Sequence, residues 1–384
     1  MIYPDYNGGS IVNLTSSILE SFDAQPLYPP LKEFKESKAL RDSSNIILLV
    51  IDGLGYEYLK NNGQDSTLNK YLVRKLTSIF PSTTASAVTT LETGVAPQQH
   101  GVTGWFMFLK ELGVVSAILP FRPRYGTLSF THDGIRREDI FTEKRINDKI
   151  KAQSFIIYPD KIVDGKIHKK SKDLLTFKTL DEFFLQIKEA IKSTAQSKYI
   201  YAYWDKFDYL CHREGCSSQK LKEHFMELDC KISSFIESLK GTNSTLIITA
   251  DHGLIDTPKS KTILLKDHPE LLETLTLPLC GEPRAAYCYV HPSKARQFED
   301  YINTKLDYCC ELHKSEDLMK KGLFGLYKPH KMLLERIGDY VLIMKENYII
   351  KNQLLREKEN LFISNHGGMS KEEMFVPLII KKIS

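Results

Sequence analysis

The stretch that decides the fold is residues 46–56, IILLVIDGLGY. Six apolar residues, Ile46 to Ile51, run directly into Asp52, and a Gly-x-Gly turn follows at 53–55. An unbroken apolar run of this length is typical of a strand buried on both faces of a parallel sheet. Open α/β sheets bind ligands at the carboxyl ends of such strands, so Asp52 is either a functional carboxylate or the N-cap of the next helix.

The composition is that of a globular protein with a large core. The chain has 384 residues, of which 42% are hydrophobic and 26% charged, enough for one large domain with insertions or two to three small ones. A net charge of +4, from 52 basic and 48 acidic residues, is too balanced to favour nucleic acid or a membrane through charge.

Sequence features also predict the compartment. No apolar run approaches the ~20 residues of a membrane-spanning helix, and residues 1–14, MIYPDYNGGSIVNL, show no secretory signal. The seven cysteines are scattered and contain no CxxC pair, which favours reduced thiols over a disulfide framework. We therefore expect a cytoplasmic protein.

Strand-like apolar runs alternate with helical patterns along much of the chain. This order predicts parallel βαβ units. Residues 258–359 differ, because their apolar runs are short and they contain no catalytic-looking cluster. We therefore predict an α/β core formed by 1–257 and 360–384, with an inserted smaller α+β lobe at 258–359 and a surface loop over 161–172. The predicted strands are 46–51, 76–80, 154–158, 199–204, 245–250 and 376–380, and the predicted helices are 10–22, 179–193 and 219–240.

Acidic and histidine residues follow several of these apolar runs, and His366 follows a further strand-like run at 361–364. In a parallel sheet the carboxyl ends of the strands lie side by side, so residues far apart in sequence converge there. Three Asp and three His suit Zn²⁺, with Mn²⁺ or Fe²⁺ as alternatives, better than Ca²⁺. Six ligands are about right for two metals a few Å apart, the arrangement that supports in-line phosphoryl displacement. The residues are Asp52, Asp208 with His212, Asp251 with His252, and His366.

A hydroxyl-rich turn, Ser82-Thr83-Thr84, follows the apolar run at 76–80 and precedes the small-residue segment 85–91. A hydroxyl at a helix N-terminus lies beside free backbone N–H groups that favour an anion, which is a known way to present a nucleophile. The alternative is an ordinary Ser/Thr N-cap.

Five segments together resemble the alkaline phosphatase superfamily, and most closely its nucleotide pyrophosphatase/phosphodiesterase branch. They span the chain in the family's order. The resemblance implies a three-layer sandwich with a mostly parallel central sheet, and hydrolysis of phosphodiester or pyrophosphate bonds in a nucleotide-like small molecule. The segments are VIDGLGY (50–56), FPSTTASAVTTLETGVAPQQHGVTGW (80–105), YWDKFDYLCHREG (203–215), TADHGLID (249–256) and SNHGGMSKEEMFVPLII (364–380).

The resemblance also assigns roles to individual residues. The nucleophile falls at Thr84, with Thr83 as the alternative and Ser82 last. It would form a phospho-threonine intermediate at two divalent metal ions, with Zn²⁺ as the first choice and Mn²⁺ or Fe²⁺ as alternatives. One metal would be held by Asp208, His212 and His366, and the other by Asp52, Asp251, His252 and Thr84.

One position departs from the family pattern. The branch usually has an Asn three residues after the nucleophile, where it binds a phosphate oxygen, whereas this chain has Ala87. Backbone N–H groups at the helix start are an alternative oxyanion site. Trp105, Phe106 and Tyr158 are candidates to stack on a base or aryl group, with core packing as the alternative for each.

Other activities of the superfamily compete with this interpretation. Residues 82–86 lack the Cys/Ser-x-Pro-x-Arg context of a sulfatase. A phosphomonoesterase needs extra positive charge, for which Arg122 and Arg124 are candidates, and a phosphonate hydrolase stays open. The non-enzyme alternative is a metal-binding scaffold without turnover. We expect a small phosphoester as partner, and neither a membrane nor stable nucleic-acid binding.

Overall fold

The computed structural model describes residues 1–163, 173–193, 196–355, 357 and 362–384. The predicted loop at 161–172 therefore lies largely outside the described residues. The strands are β1 Asn45–Ile51, β2 Leu72–Thr77, β3 Phe106–Leu109, β4 Val114–Ala117, β5 Arg122–Pro123, β6 Gln153–Pro159, β7 Leu174–Phe177, β8 Lys198–Trp204, β9 Ser244–Thr249, β10 Ile255–Asp256, β11 Thr262–Leu264, β12 Cys280–Glu282, β13 Ala285–Cys288, β14 Cys310–Lys314, β15 Tyr340–Met344, β16 Ile349–Lys351, β17 Ser364–Asn365 and β18 Phe375–Ile383. The α-helices are α1 Ile11–Ser21, α2 Ser37–Arg41, α3 Tyr56–Asn62, α4 Thr67–Lys70, α5 Thr84–Thr93, α6 Pro97–His100, α7 Arg137–Ile140, α8 Ile146–Lys149, α9 Asp160–Val163, α10 Leu180–Lys192, α11 Lys206–Glu214, α12 Gln219–Ser238, α13 Pro269–Leu272, α14 Ala295–Tyr301, α15 Ser315–Lys320, α16 Leu333–Ile337 and α17 Lys371–Met374.

The central sheet has the strand order β2-β18-β9-β1-β8-β6-β7. Strand β1 pairs in parallel with both β8 and β9, and each of its residues is buried. Among the described strands of this sheet, β18 alone runs against the others, because it pairs antiparallel with β2 and with β9. The prediction of an α/β fold with a mostly parallel central sheet is confirmed.

Helices that match the predicted patterns pack on this sheet. Helix α12 buries Leu221, Phe225, Leu228 and Ile232 along one stripe, as the period of its apolar residues requires. Two groups of helices lie beside this sheet: α1 contacts α2 and α5, and α12 contacts α4 and α11. Two helix groups of this kind cover the faces of a buried parallel sheet.

A second sheet has the order β14-β15-β13-β12-β3-β4-β5. It combines strands from 280–344 with strands from 106–123. Met107 and Leu109 are buried while Phe106 and Phe108 are half-buried. The alternation of this strand is not visible in the sequence, because the half-buried face carries two phenylalanines and all four residues are apolar. The division into a core and a lobe at 258–359 stays a prediction, and its boundary at 359/360 lies outside the described residues.

A buried ion pair ties the second sheet to the segment before β18. Arg284, between β12 and β13, donates from Nε and Nη2 to the two carboxylate oxygens of Glu373 in α17, at 3.0 and 2.7 Å. Both side chains are almost fully buried. Burial raises the pKa of Glu373, but the Arg284 guanidinium and the hydrogen bonds outweigh it and leave the pKa below its usual value. Because Glu373 also accepts from the Gly368 N–H at 2.7 Å, the pair fixes the chain just after His366.

Replacing Glu373 with glutamine should therefore destabilise the protein. Glu373→Gln leaves the Arg284 charge buried without a counter-ion, which costs about 3–5 kcal/mol in comparable pairs. Urea denaturation measures the free energy of unfolding. Glu316→Gln is the matched control, because its pair with Lys320 is exposed and is expected to contribute below about 1 kcal/mol. Equal losses in the two variants would contradict the structural role of the buried pair.

Candidate active site

The carboxyl ends of three neighbouring parallel strands place the predicted carboxylates together. Asp52 follows β1, Asp251 follows β9, and Asp208 lies in the first turn of α11 after β8. Because β8, β1 and β9 are adjacent and parallel, these residues meet at one edge of the sheet, as the sequence predicted.

Asp52, Asp251 and His252 form the first cluster. Their ligand atoms lie within 4.8 Å of one another, with His252 Nε2 at 3.4 Å from Asp52 Oδ1 and 3.5 Å from Asp251 Oδ2. All three residues are buried. The Asp251 carboxylate is held in place by the N–H groups of Gly53 and His252, at 3.1 and 3.0 Å, so the Gly-x-Gly turn after β1 helps to position it.

Asp208, His252 and His366 form the second cluster, so the two clusters share His252. The His252 and His366 rings are stacked with centroids 3.9 Å apart. His212 lies one helical turn after Asp208, with its Nε2 at 3.3 Å from Asp208 Oδ2. The structure thus brings all six predicted ligands together.

His366 reaches the site by a different route from the one expected. The sequence predicted that it follows an apolar strand-like run at 361–364, of which residue 361 lies outside the described part of the chain. The observed β17 has only two residues and pairs with β10, away from the central sheet. Because β18 is antiparallel to its neighbours, its start lies at the edge where they end. His366 therefore precedes a strand of the central sheet instead of following one.

Backbone carbonyls orient two of the imidazoles. His252 Nδ1 donates to the Gly253 carbonyl at 3.1 Å, and His212 Nδ1 donates to the Ser364 carbonyl at 2.7 Å. A carbonyl oxygen only accepts, so Nδ1 carries a proton in both rings, and Nε2 of each ring is the nitrogen on the side of the carboxylates. This is how histidine ligands are commonly oriented in metal sites.

The chemistry of the donor set fits a divalent cation. Buried oxygens of three carboxylates, Asp52 Oδ1, Asp208 Oδ1 and Asp251 Oδ2, make no hydrogen bond. Burial, with the neighbouring Asp251 and Asp208 charges, raises the pKa of Asp52 well above its usual value, and burial also raises the pKa of Asp208. Buried carboxylates are normally paired with a positive group or coordinated to a metal. A bound cation would supply the positive charge that these three carboxylates lack.

Three neighbouring hydroxyls have three different partners. Ser82 Oγ donates to the Gly368 carbonyl at 2.8 Å, and Thr83 Oγ1 donates to Glu282 Oε1 at 2.6 Å. Thr84, the first residue of α5, has its Oγ1 at 3.0 Å from His252 Nε2. Of the three, the Thr84 hydroxyl is therefore the one that contacts a predicted metal ligand.

A comparison with protein families decides the class of the protein. The family model described as type I phosphodiesterase / nucleotide pyrophosphatase matches residues 46–369. The chain belongs to this family. It is accordingly a phosphodiesterase-type hydrolase of the alkaline phosphatase superfamily, as the motifs predicted.

Solved structures of this phosphodiesterase family share the fold. Mouse ectonucleotide pyrophosphatase/phosphodiesterase 5 is 20% identical, with 87% of each chain covered and a TM-score of 0.66. The human counterpart gives the same identity and coverage with a TM-score of 0.67, as does an inactive threonine-to-alanine variant of the mouse protein in complex with AMP. No curated protein sequence matches the chain. None of the described helices has the length and apolar character needed to cross a bilayer.

A cavity of about 220 Å³ lies beside Thr84 in this phosphodiesterase. Helix α5 forms one wall, and Tyr158 and Tyr203 also line it. Tyr158 donates to Glu92 at 2.6 Å. Trp105 and Phe106 are not among the lining residues; the Phe106 ring packs against the Arg124 guanidinium, 4.3 Å from the ring centroid. Of the three predicted aromatic contacts, Tyr158 is thus the one placed beside the candidate nucleophile.

Two residues that the sequence did not single out contact the site directly. The Tyr203 hydroxyl donates to Asp52 Oδ2, and Glu282 accepts from the Thr83 hydroxyl. Tyr203 lies within the apolar run of β8, where the sequence pattern predicts a core residue. Glu282 belongs to β12, where no strand-end cluster marked it, so only the tertiary structure identifies it.

A divalent cation should stabilise this protein through the two clusters. Chelator-treated protein is expected to gain melting temperature on addition of Zn²⁺, Mn²⁺ or Fe²⁺, because ligation removes the repulsion among buried carboxylates. Ion at about 1,000 times its Kd adds about 4 kcal/mol. Asp251→Asn should lose most of the shift, whereas Asp181→Asn, at an exposed pair with Lys231, should retain it. Equal shifts in both variants, or no shift with any of the ions, would contradict the assignment.

Proposed function

We propose that this protein cleaves a phosphodiester or pyrophosphate bond of a nucleotide-like small molecule, with Thr84 as nucleophile and two divalent metal ions. The observation that carries the proposal is the 3.0 Å contact of Thr84 Oγ1 with His252 Nε2, because His252 belongs to both clusters. Family membership supports phosphodiester hydrolysis, and the proposal adds the residues and the intermediate.

The first metal is assigned to Asp52, Asp251, His252 and Thr84, and the second to Asp208, His212 and His366. Mixed carboxylate and imidazole ligands favour Zn²⁺, with Mn²⁺ or Fe²⁺ next. When bound, the ions supply the positive charge that lowers the pKa of the threonine hydroxyl and offsets charge on the phosphoryl oxygens.

The reaction has two in-line displacements. Thr84 Oγ1 attacks phosphorus and its proton passes to solvent, while the bond from phosphorus to the leaving oxygen breaks and that oxygen departs with the bonding electrons. The phosphoryl group, still carrying its other ester, is then bound to Thr84. A water molecule attacks the same phosphorus and gives up a proton, while the bond to Thr84 Oγ1 breaks and this oxygen takes up a proton, which restores the hydroxyl.

Helix α5 supplies donors for the phosphoryl oxygens. The first N–H groups of a helix lack intrahelical partners, and Thr84 occupies the first position of this one. These N–H groups and the helix dipole favour an anion directly beside the nucleophile. They offer an alternative to the Asn contact that Ala87 cannot make.

The two arginines named as candidates for binding a phosphomonoester are held by other partners. A doubly ionised phosphate needs extra cationic groups. Arg124 is instead held by Glu357 at 2.9 Å and by the Leu279 carbonyl at 2.9 Å, and Arg122 donates to the Pro123 carbonyl at 3.2 Å. Two observations support a substrate with a nucleotide-like group. A variant of the mouse relative was solved in complex with AMP, and Tyr158 lines the cavity beside Thr84.

Removing the Thr84 hydroxyl should abolish turnover without releasing metal. Thr84→Ala is expected to lower kcat for a bis-aryl phosphate by about 1,000-fold or more, as loss of a covalent nucleophile does. Elemental analysis should still find about two metals per chain, because Thr84 is one of several ligands. Thr304→Ala, an exposed threonine, is the control and should retain wild-type rates. Wild-type kcat in Thr84→Ala would rule out the mechanism.

A parallel comparison of substrates tests the reaction class. We expect kcat/KM for bis-aryl phosphates and dinucleotides to exceed that for aryl phosphate monoesters and phosphonates by about tenfold or more, equivalent to about 1.4 kcal/mol of transition-state binding. A monoester that is the best substrate of the panel would make the protein a phosphomonoesterase. Absence of turnover for every ester, in metal-loaded protein, would favour the non-catalytic scaffold.

A further inference from the structure

Glu282 links the second sheet to the residue before the candidate nucleophile. Its carboxylate is buried, and its Oε1 accepts from the Thr83 hydroxyl at 2.6 Å and from the Trp105 N–H at 2.7 Å. One oxygen atom at the end of β12 therefore holds both the start of α5 and the start of β3.

The backbone is shaped to admit this carboxylate. A Cβ at Gly104 would lie 2.7 Å from the Gly281 Cα, and a Cβ at Gly367 would lie 2.6 Å from the Glu282 Cβ. Gly367 also has a φ of +104°, where L side chains are strained. Two glycines thus allow the segment that carries Glu282 to approach both Trp105 and the loop after His366. The close packing of this segment against residues 104 and 367 therefore depends on the absence of side chains there.

The Thr83 hydroxyl therefore does not make the capping hydrogen bond that is usual at the start of a helix. Thr83 is the N-cap of α5, with φ −137° and ψ 147°, a position at which a threonine oxygen normally accepts from an N–H of the first turn. Here its side chain makes no such capping bond, and it donates to Glu282 instead. The first-turn N–H groups are therefore left uncapped beside Thr84.

We propose that Glu282 is a positioning residue that keeps the Thr83 hydroxyl away from the first-turn N–H groups of α5, so that these groups bind the phosphoryl oxygens. The inference rests on the proposed function, since it concerns the same nucleophile and the same anion. It gives the second sheet a role in the reaction, because β12 supplies the acceptor. It also explains how the site works with Ala87 in place of an asparagine.

Capping and phosphate binding compete for the same donors. Without Glu282, rotation of the Thr83 side chain lets its oxygen accept from a first-turn N–H, which is the energetically favoured arrangement at most helix starts. Each donor lost from a preorganised oxyanion site lowers kcat by about 10²–10³-fold. The loss should fall on kcat more than on KM, because these donors act most strongly on charge that develops in the transition state.

The competition predicts a rescue that a purely structural role would not give. With bis-aryl phosphate as substrate, Glu282→Ala should lower kcat at least tenfold with KM changed less than about threefold. Adding Thr83→Val to Glu282→Ala removes the competing oxygen, so kcat should recover to within about threefold of Thr83→Val alone. Glu282→Gln retains the acceptor oxygen and should stay within about threefold of wild type. These limits follow from the cost of losing one donor.

Controls separate this inference from stability and from the proposed function. Glu299→Ala removes another carboxylate that accepts from a hydroxyl, that of Tyr340, and should leave kcat unchanged. If Glu282→Ala does not bind metal or shows no cooperative melting transition, Glu282→Met is used in its place. Methionine fills the same space but has no oxygen to accept the hydrogen bond. Calorimetry with inorganic phosphate gives a readout without turnover, and binding should weaken about tenfold or more in Glu282→Ala and recover in the double variant.

Two results would overturn the inference. One is a Glu282→Ala kcat within twofold of wild type. The other is a double variant as slow as Glu282→Ala, which would assign Glu282 a structural role only. Either result in an active wild-type enzyme leaves the proposed function standing, whereas a metal-loaded wild type that cleaves no ester rejects the proposed function itself.

Discussion

The parallel pairing of β8, β1 and β9 is the constraint on which the site depends. It forces Asp208, Asp52 and Asp251 to the same edge of the sheet, where burial and mutual repulsion raise the pKa values of Asp52 and Asp208. Such a cluster is costly in the absence of a cation. The hydrophobic core beneath it, including the fully buried β1, supplies the stability that allows an unfavourable group of charges to persist.

The second sheet acts on this edge through Arg284, which pairs with Glu373 of α17, and through Glu282 of β12. Glu373, paired with Arg284, fixes the loop after His366 through the Gly368 N–H, and Glu282 holds Thr83 and Trp105. The segments that carry the candidate nucleophile Thr84 and His366 are therefore held by groups outside the central sheet. In this account the central sheet gathers the ligands, and the second sheet orients the segments that lie between them.

Much of the fold and most of the site could be predicted because they are encoded locally. Asp52 and Asp251 directly follow apolar runs, and Asp208 with His212 shows helical spacing, so each cluster was visible within about ten residues of sequence. The order of strands and helices then predicted that the clusters would converge. These predictions needed only the rule that parallel strands end at the same edge.

The rest depends on contacts between distant segments, which leave no local pattern. Glu282 and Thr83 are 199 residues apart, and nothing near residue 282 marks a carboxylate that accepts from a helix cap. His366 enters before a reversed strand, a direction that the apolar run at 376–380 does not reveal. The hydroxyls of Ser82, Thr83 and Thr84 are equivalent as a local pattern. The family resemblance ranks Thr84 first, and the structure shows a separate partner for each hydroxyl.

The most direct test of the account is to trap the covalent intermediate. Metal-loaded enzyme is mixed with excess bis-aryl phosphate, quenched in acid within one turnover, and digested for peptide mass spectrometry. The account predicts an aryl phosphoryl group on Thr84, present in wild type and absent in Thr84→Ala. A modified Thr83, or unmodified peptides during a measured burst of released phenol, would contradict it.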